Sequence, residues 1–304
     1  MPQIILKNAI VKRLGELKYR LPSHIEAPSA AWALKSTILE GKCDIDIKSQ
    51  NSFEVTMTDS LFAECIYADF YYGYERILKQ NHCLHVLLKE ANTPAAWCLV
   101  TAYYSAFFAA IEIGKILGRI STYIDQSDAR RIQYRSGGAF LSDLEFGNYL
   151  GGVRLDAHKG YVMVRFSRHG ERPHQQAWQN LSVLFPNEVK NLSSARQKQI
   201  KLFKEIISND PNSRWPTPSE IRNQWNYTNA NYYGSLGERN ASIFCKNAQS
   251  NSSCYSWATT KRLQPDEKNT AASVAFVNTV LLDVVENIKP KILGSMMQKL
   301  SKSI

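Results

Sequence analysis

The sequence is poor in the residues on which several common kinds of protein chemistry depend. It has six histidines among 304 residues, and none of them lies after His174. Its six cysteines form no CxxC pair and no dense pattern, which disfavours both a zinc ribbon and a disulfide framework. Acidic residues number 27 against 37 basic ones, so the formal net charge is +10. This excess favours a polyanionic partner such as RNA or DNA, although a basic surface also serves solubility.

Signals of export and of metal binding are also missing. Lys7, Lys12 and Arg13 interrupt the apolar residues at the amino terminus, so no secretory signal is recognisable there. We therefore expect a cytoplasmic protein with reduced thiols. His82 and His85 are three residues apart, but no third metal ligand lies near them in the sequence. We expect no metal and no other cofactor.

The chain is organised around one long apolar stretch, residues 95–118. No charged residue lies between Glu90 and Glu112. At 3.6 residues per turn, apolar and aromatic side chains cover most of the helix surface, and Thr101 and Ser105 belong to a narrow polar strip. Such a helix is typical of a buried core, although its length would also suit a membrane span. The polar strip and the tyrosines favour the core helix, and we expect no membrane.

Periodic patterns predict further helices on both sides of this stretch. A tyrosine-bearing helix is predicted from Leu61, and the short turn at Pro94 predicts that it forms an antiparallel hairpin with the central helix. The segment 193–208 reads as a third amphipathic helix. The last helix begins near Thr270, and Pro290 is expected to kink or end it.

A helix start of unusual clarity precedes Arg222. Thr217 offers an N-cap, a proline follows at the first helical position, and Glu220 completes a capping box. Because Arg222 and Asn226 are four residues apart, a regular helix would put them on one face. The asparagine- and serine-rich segment 229–261 is expected to be a long loop around a short helical turn.

Residues 136–185 are interpreted as a basic insertion. Segments 149–155 and 161–165 read as two strands of a hairpin. Residues 119–201 contain 13 Lys or Arg against 7 Asp or Glu, so the positive charge is concentrated here. A basic hairpin suits a phosphate backbone, and a solvated surface hairpin is the plainer alternative. The residues expected to contact nucleic acid are Arg154, Lys159, Arg165, Arg168 and Arg172.

Residues 1–58 show no consistent period. A short strand at 4–6, a short helix at 30–39 and weak alternation at 45–55 are separated by glycine, proline and polar residues. We interpret them as a small irregular N-terminal cap. Residues 59–304 then form one helical domain that carries the hairpin insertion, and the fold class is mainly α.

Two segments resemble the HEPN superfamily, and they occur in the order found there. Residues 101–111, Thr-Ala-Tyr-Tyr-Ser-Ala-Phe-Phe-Ala-Ala-Ile, resemble the second helix of HEPN domains. Residues 221–227, Ile-Arg-Asn-Gln-Trp-Asn-Tyr, resemble the place where the superfamily carries its Arg-x(4–6)-His motif. The resemblance covers residues 59–118 and 193–300, with the hairpin as an insertion.

The resemblance implies a HEPN-like four-helix bundle that dimerises and is directed at RNA. Many members are metal-independent ribonucleases of prokaryotic antiviral defence or toxin–antitoxin systems. Others bind nucleotides, RNA or protein partners without cleaving. The implied partners are therefore RNA or another nucleic acid, a second copy of the chain, and an antitoxin or defence-complex protein.

The motif of the active members departs here at one position. Their arginine clamps the phosphate and their histidine exchanges the proton as a ribose 2′-hydroxyl attacks. Arg222 matches the arginine, Asn223 the polar residue after it, and Tyr227 stands where the histidine is expected. A tyrosine hydroxyl ordinarily titrates near pH 10, so it is a poor base at pH 7 but can donate a proton or a hydrogen bond.

Three hypotheses follow for the function. The leading one is a metal-independent endoribonuclease with Arg222, Asn223, Asn226 and Tyr227 at its catalytic site. The second is a non-catalytic subunit that binds nucleic acid or docks a partner, which the missing histidine and the concentrated positive charge favour. The third is a helical protein whose aromatic faces contact another protein.

Overall fold

The computed structural model describes residues 1–22, 27–137, 143–156, 160–170, 172–185, 192–208, 210 and 212–294. The fold is mainly helical, with one antiparallel five-stranded sheet. The chain divides into two compact units, each built from separate segments. The helical unit comprises Met1–Asn8, Tyr74–Ala110 and Ala177–Asn287. The sheet unit comprises the described residues of Ala9–Gly73, Ile111–Gln176 and Ile288–Ile304.

Twelve α-helices and five strands are numbered here in chain order within the described residues. The helices are α1 Pro2–Glu16, α2 Leu34–Leu39, α3 Asp59–Leu87, α4 Ala95–Ile116, α5 Gln126–Arg135, α6 Pro173–Ser182, α7 Ser194–Ile207, α8 Pro218–Asn223, α9 Ser235–Asn240, α10 Ser242–Gln249, α11 Asn251–Trp257 and α12 Glu267–Leu293. The strands are β1 Asp44–Ser49, β2 Ser52–Thr58, β3 Arg119–Ile124, β4 Gly147–Asp156 and β5 Tyr161–Arg168.

The sheet unit is built on strands in the order β1-β2-β5-β4-β3, each antiparallel to its neighbours. Alternation along the strands sends one set of side chains into a core. Phe53 of β2 stacks on Phe166 of β5 with ring centroids 4.8 Å apart, and both are buried. Gly151 of β4 is in register with Phe166, and its missing side chain leaves room for that ring.

The N-terminal segment is not the irregular cap expected from the sequence. It contains α1, α2 and the first two strands of the sheet. The expected strand at residues 4–6 is wrong, because Leu6, Ile10 and Leu14 recur every fourth residue and are all buried on one side of α1. Adjacent Ile4 and Ile5 favour a strand locally, but burial of the helical stripe outweighs that preference.

The predicted hairpin is confirmed. Strands β4 and β5 pair antiparallel, and each also pairs with a second strand, β3 or β2. The hairpin therefore forms the middle of the sheet. Strand β3 and helix α5 were not predicted from the sequence. Both are short, and their polar residues make the hydrophobic periodicity of residues 119–135 hard to recognise.

The predicted antiparallel pairing of the two long helices is confirmed by contacts within each unit. In the sheet unit, Asp69 of α3 contacts Lys115 of α4 at 3.6 Å. In the helical unit, Arg76 of α3 lies over the ring of Phe108 of α4 at 4.1 Å. Contacts further along α3 thus meet residues earlier in α4. The buried central helix is also confirmed, since Tyr103 is fully buried.

One later expectation is corrected. Segment 229–261 is not a long loop: it folds into a 3-10 turn and the short helices α9, α10 and α11, with aromatic residues such as Phe244 and Trp257 buried.

Of the two alternatives for Pro290, a kink or an end, the end is excluded, because α12 continues to Leu293. A proline inside a helix removes one backbone hydrogen bond and its ring crowds the preceding turn. Here buried Ile288 and Ile292 hold both sides of it in the core.

Two helices, Ala95–Ile116 and Glu267–Leu293, are long and apolar enough to cross a membrane. In each, 78% of the apolar window is buried inside the molecule. Core helices meet the same criteria of length and composition, so these helices alone assign no membrane location.

Two adjacent glycines of β4 test the packing of the sheet. A Cβ on Gly151 would come within 2.7 Å of Phe166 Cε1, whereas a Cβ on Gly152 meets nothing within 4 Å. We expect Gly151→Ala to lower the free energy of unfolding by about 1–3 kcal/mol through overpacking. The matched control, Gly152→Ala, should leave it within about 1 kcal/mol. Urea unfolding measures both, and equal effects would contradict the assigned register.

Candidate functional site

The start of α8 places Arg222 in a fixed position. The Thr217 hydroxyl accepts a hydrogen bond from the Glu220 backbone amide at 3.3 Å, and the Glu220 carboxylate accepts one from the Thr217 amide at 2.7 Å. This is the capping box predicted from the sequence, and it is confirmed. Because the Glu220 carboxylate is held at the helix start, Arg222 projects one half-turn later from a rigid frame.

The chain then widens into a π-helix over Gln224–Thr228. The Asn229 amide donates to the Gln224 carbonyl at 3.2 Å, which closes a turn of five residues rather than four. Trp225 anchors this turn, because it is buried and stacks on Tyr232 with ring centroids 4.3 Å apart. Such single turns are frequent at functional sites in other proteins.

The Arg222 guanidinium lies among three tyrosine rings of the helical unit. Its Cζ is 5.4 Å from the ring centroid of Tyr103, 5.6 Å from that of Tyr104 and 5.4 Å from that of Tyr227. These distances fall within the range of cation–π attraction. Tyr103 and Tyr104 come from α4, and Tyr227 comes from the π-helix. We call Arg222 with these three residues the tyrosine cage.

Arg222 is buried with no anionic partner among the described residues. Only 8% of its surface is exposed, and its Nε atom has no hydrogen-bond partner in that part of the chain. No carboxylate within the described ranges forms an ion pair with it. An arginine near a helix start can instead tie that start to a neighbouring carboxylate, and these ranges contain no such pair for Arg222. Buried cations are normally paired, so this arrangement suits an anion that enters from outside.

Hydrogen bonds to Ser219 fix the position of Tyr103 in the tyrosine cage. The Trp178 indole N–H donates to the Ser219 hydroxyl oxygen at 3.0 Å, and the Tyr103 hydroxyl lies 3.3 Å from the same oxygen. Burial raises the pKa of the Tyr103 hydroxyl, with smaller opposing effects from Ser219 and Arg222. The Tyr103 hydroxyl therefore stays protonated and neutral beside the Arg222 guanidinium.

The other expected catalytic residues take different positions around Arg222. Tyr227 is 70% exposed, so its hydroxyl is open to solvent while its ring contacts the guanidinium. Asn223 is also exposed. Asn226 is half-buried, and its side-chain oxygen accepts a hydrogen bond from the Tyr233 hydroxyl at 2.9 Å. The wide turn thus puts Tyr227, rather than Asn226, over Arg222.

Two of the expected nucleic-acid contacts share the exposed face of the sheet. Arg165 of β5 is in register with Gly152 of β4, and Arg154 lies two residues further along β4. Both are exposed. Arg119 of β3, which was not predicted, is also in register with Gly152. Glu54 stands directly opposite Arg165 on β2, so the positive charge of this face is partly offset by its neighbour.

The other expected nucleic-acid contacts differ in their surroundings. Arg168 forms an ion pair with Glu145 at the end of β5 and donates to the Asn51 side chain at 3.5 Å. Arg172 is exposed just before α6. Lys159 lies outside the described residues. Contact of these residues with nucleic acid stays a prediction.

Sequence reasoning missed the neighbours of Arg222, because they come from distant parts of the chain. Tyr103 and Ser219, which contact each other, are 116 residues apart. The tyrosines of α4 were recognised only as core residues. In the part of the chain that the structure describes, no three His, Cys, Asp or Glu side chains are grouped so as to hold a metal ion.

Comparison of the chain with family models, with curated proteins and with solved structures finds no match. We therefore infer the function from the chemistry of the tyrosine cage.

Replacing Arg222 by methionine tests whether this arginine supports the fold. The change removes cation–π attraction of about 0.5–2 kcal/mol, but also a buried unpaired N–H that costs about 1–3 kcal/mol. We expect the free energy of unfolding of Arg222→Met to stay within about 1 kcal/mol of the wild type or to rise. Thr217→Ala, which removes the helix cap, should lower it by about 0.5–2 kcal/mol. Thermal and urea unfolding measure both, and a loss above about 3 kcal/mol for Arg222→Met would assign it a structural role.

Proposed function

We propose that this protein binds RNA and that Arg222 holds one of its phosphate groups in the tyrosine cage. The observation that carries the proposal is the burial of Arg222 with no anionic partner among the residues that the structure describes. A guanidinium offers planar, forked donors that match the oxygens of a phosphate. A bound phosphate would supply both the missing charge and an acceptor for the Nε proton.

Charge and composition favour a nucleic acid over a small phosphorylated metabolite. The formal net charge of +10 attracts polyanions over a long range and speeds their encounter with the protein. The exposed side-chain amide of Asn223 directly follows Arg222 in the chain, and Tyr227, an exposed side chain whose ring contacts the guanidinium, carries a hydroxyl. Both groups can donate to and accept from a ribose 2′-hydroxyl, the group that distinguishes RNA from DNA.

The phosphate contact is tested by removing the Arg222 charge. Arg222→Gln should weaken binding of a single-stranded RNA 12-mer by about 30-fold or more, because a buried charged contact is lost. The slope of log affinity against log salt concentration should become less steep by about one, which corresponds to the loss of one phosphate contact. Fluorescence anisotropy at several salt concentrations measures both quantities.

The matched control is Arg196→Gln, which removes the same charge from an exposed position on α7 of the helical unit. Its affinity should stay within about threefold of the wild type, since a single exposed charge contributes little. If the two substitutions weaken RNA binding equally, Arg222 contributes no more than an exposed charge does, which contradicts the proposal. Absence of RNA binding by the wild type would also contradict it.

A second candidate function is a metal-independent endoribonuclease of the HEPN type, in which the long helices form the implied four-helix bundle. The contact of the Tyr227 ring with Arg222 favours it, because a phosphate clamp and a hydroxyl proton donor then share one site. In this reaction a ribose 2′-oxygen loses its proton and attacks the phosphorus of the adjacent 3′-phosphate. The bond from that phosphorus to the 5′-oxygen of the next nucleotide then breaks. Tyr227 would protonate the departing 5′-oxygen, and Arg222 would stabilise the charge on the phosphate.

This second candidate requires a base that the tyrosine cage does not contain. The helical unit has two histidines, His82 and His85, and both are exposed on α3. A tyrosine hydroxyl keeps its proton at neutral pH, so it does not replace the histidine of the motif. A group of a second subunit would have to accept this proton. RNA binding is therefore the better supported function.

Cleavage is tested with end-labelled RNA in the presence of EDTA. If the second candidate holds, Tyr227→Phe should slow cleavage by about 10²–10⁴-fold while RNA affinity stays within about threefold. The products should carry 2′,3′-cyclic phosphates, which nuclease contamination of the metal-dependent kind does not produce. Absence of cleavage under any condition would reject the ribonuclease and leave RNA binding untouched. Cleavage by Arg222→Ala at the wild-type rate would contradict the role of Arg222 in both candidate functions.

A further inference from the structure

Three aromatic residues form a partly exposed stripe along α4. Trp97, Tyr104 and Phe108 are separated by seven and four residues, so they lie on one side of the helix about 10 Å and 6 Å apart along its axis. Trp97 is 49% exposed, and the other two are half-buried. We call these three residues the aromatic stripe.

The exposure of Trp97 is unusual within this molecule. The other tryptophans are buried or half-buried. A large apolar ring left open to water loses the stabilisation that burial would provide, about 1.5–3 kcal/mol for a large side chain. Trp97 is nevertheless held in place, because the ring of Tyr233 meets it edge-on at 6.0 Å.

Two guanidinium groups accompany the rings of the aromatic stripe. Arg76 lies 4.1 Å from the ring centroid of Phe108, and Arg222 lies 5.6 Å from that of Tyr104. All of these residues belong to the helical unit. Both guanidinium groups thus lie against rings of the stripe, and the tyrosine cage shares Tyr104 with the stripe.

We infer that the aromatic stripe is a stacking platform for the unpaired bases of a single-stranded RNA. The inference rests on the proposed function, since the phosphate held by Arg222 positions the strand beside these rings. Bases stack on aromatic side chains with little preference for sequence, and nearby cations follow the backbone. Double-stranded RNA keeps its bases inside the helix, so only a single strand can use the platform.

A second copy of the chain is a less suitable occupant. In a two-fold dimer the same surface is present on both sides, so the aromatic stripe would face another stripe. Arg222 of both copies would then bring two positive charges towards one apolar interface, where like charges are costly. A single-stranded RNA supplies flat bases for the aromatic rings and a phosphate for Arg222.

The experiment compares three ligands and four proteins. The ligands are a single-stranded RNA 12-mer, the same sugar-phosphate chain without bases, and a 12-base-pair duplex RNA. The proteins are the wild type, Trp97→Ala, Trp97→Phe and Tyr134→Ala. Tyr134 is 79% exposed in the sheet unit, so its replacement removes an exposed aromatic residue elsewhere. Anisotropy gives the affinities, and circular dichroism checks that the variants fold.

We expect Trp97→Ala to weaken binding of the single strand by about 5- to 150-fold and to leave the base-free chain unaffected. Trp97→Phe keeps a flat ring and should stay within about fivefold of the wild type. Tyr134→Ala should bind as the wild type does, and the duplex should bind more weakly than the single strand. Quenching of tryptophan fluorescence by the single strand should disappear in Trp97→Phe.

Three results would overturn the inference. Unchanged single-strand affinity of Trp97→Ala would do so while leaving the proposed function in place. An equal loss for the base-free chain would show that Trp97 acts on something other than bases. A Trp97→Ala protein that changes from dimer to monomer in sedimentation, with unchanged RNA affinity, would assign the aromatic stripe to a second copy. If the wild type binds none of the ligands, the proposed function itself is wrong.

Discussion

The burial of Arg222 among tyrosine rings, with no anion beside it in the described part of the chain, is the constraint on which the proposed function depends. Desolvating a cation costs several kcal/mol, and three cation–π contacts at 5.4–5.6 Å return only part of that cost. Under the proposed function, a phosphate that enters the tyrosine cage would supply the missing negative charge.

The surrounding structure serves this arrangement in two ways. The capping box at Thr217 fixes the start of the helix that carries Arg222, and the buried Trp225 anchors the π-helix that carries Tyr227. The π-helix shifts the register by one residue, which brings Tyr227 over the guanidinium. The central helix α4 supplies the other rings, and its partly exposed aromatic stripe continues the same surface. Phosphate binding and base stacking are therefore two parts of one proposed interface in the helical unit.

The sequence predicted those elements whose signals are local and failed where distant contacts decide. Helix α4, the capping box at Thr217 and the β4–β5 hairpin were all recognised from spacing alone. Helix α1 was missed because Ile4 and Ile5 favour a strand locally, whereas burial of Leu6 and Ile10 decides for the helix. At the site, Arg222 was identified from a motif, but the π-helix and the approach of α4 leave no mark in the spacing of residues. The sheet arginines were identified from charge, yet only the strand register shows Glu54 opposite Arg165.

Photochemical crosslinking tests the central claim most directly, because it identifies where RNA lies without altering the protein. A single-stranded RNA that contains 4-thiouridine would be irradiated in complex with the wild-type chain, and the crosslinked peptides would be sequenced by mass spectrometry. We expect crosslinks to peptides that contain Tyr104 or Tyr227, because these two tyrosines of the cage are not fully buried. Crosslinks confined to peptides of β4 and β5, with none in the helical unit, would contradict it.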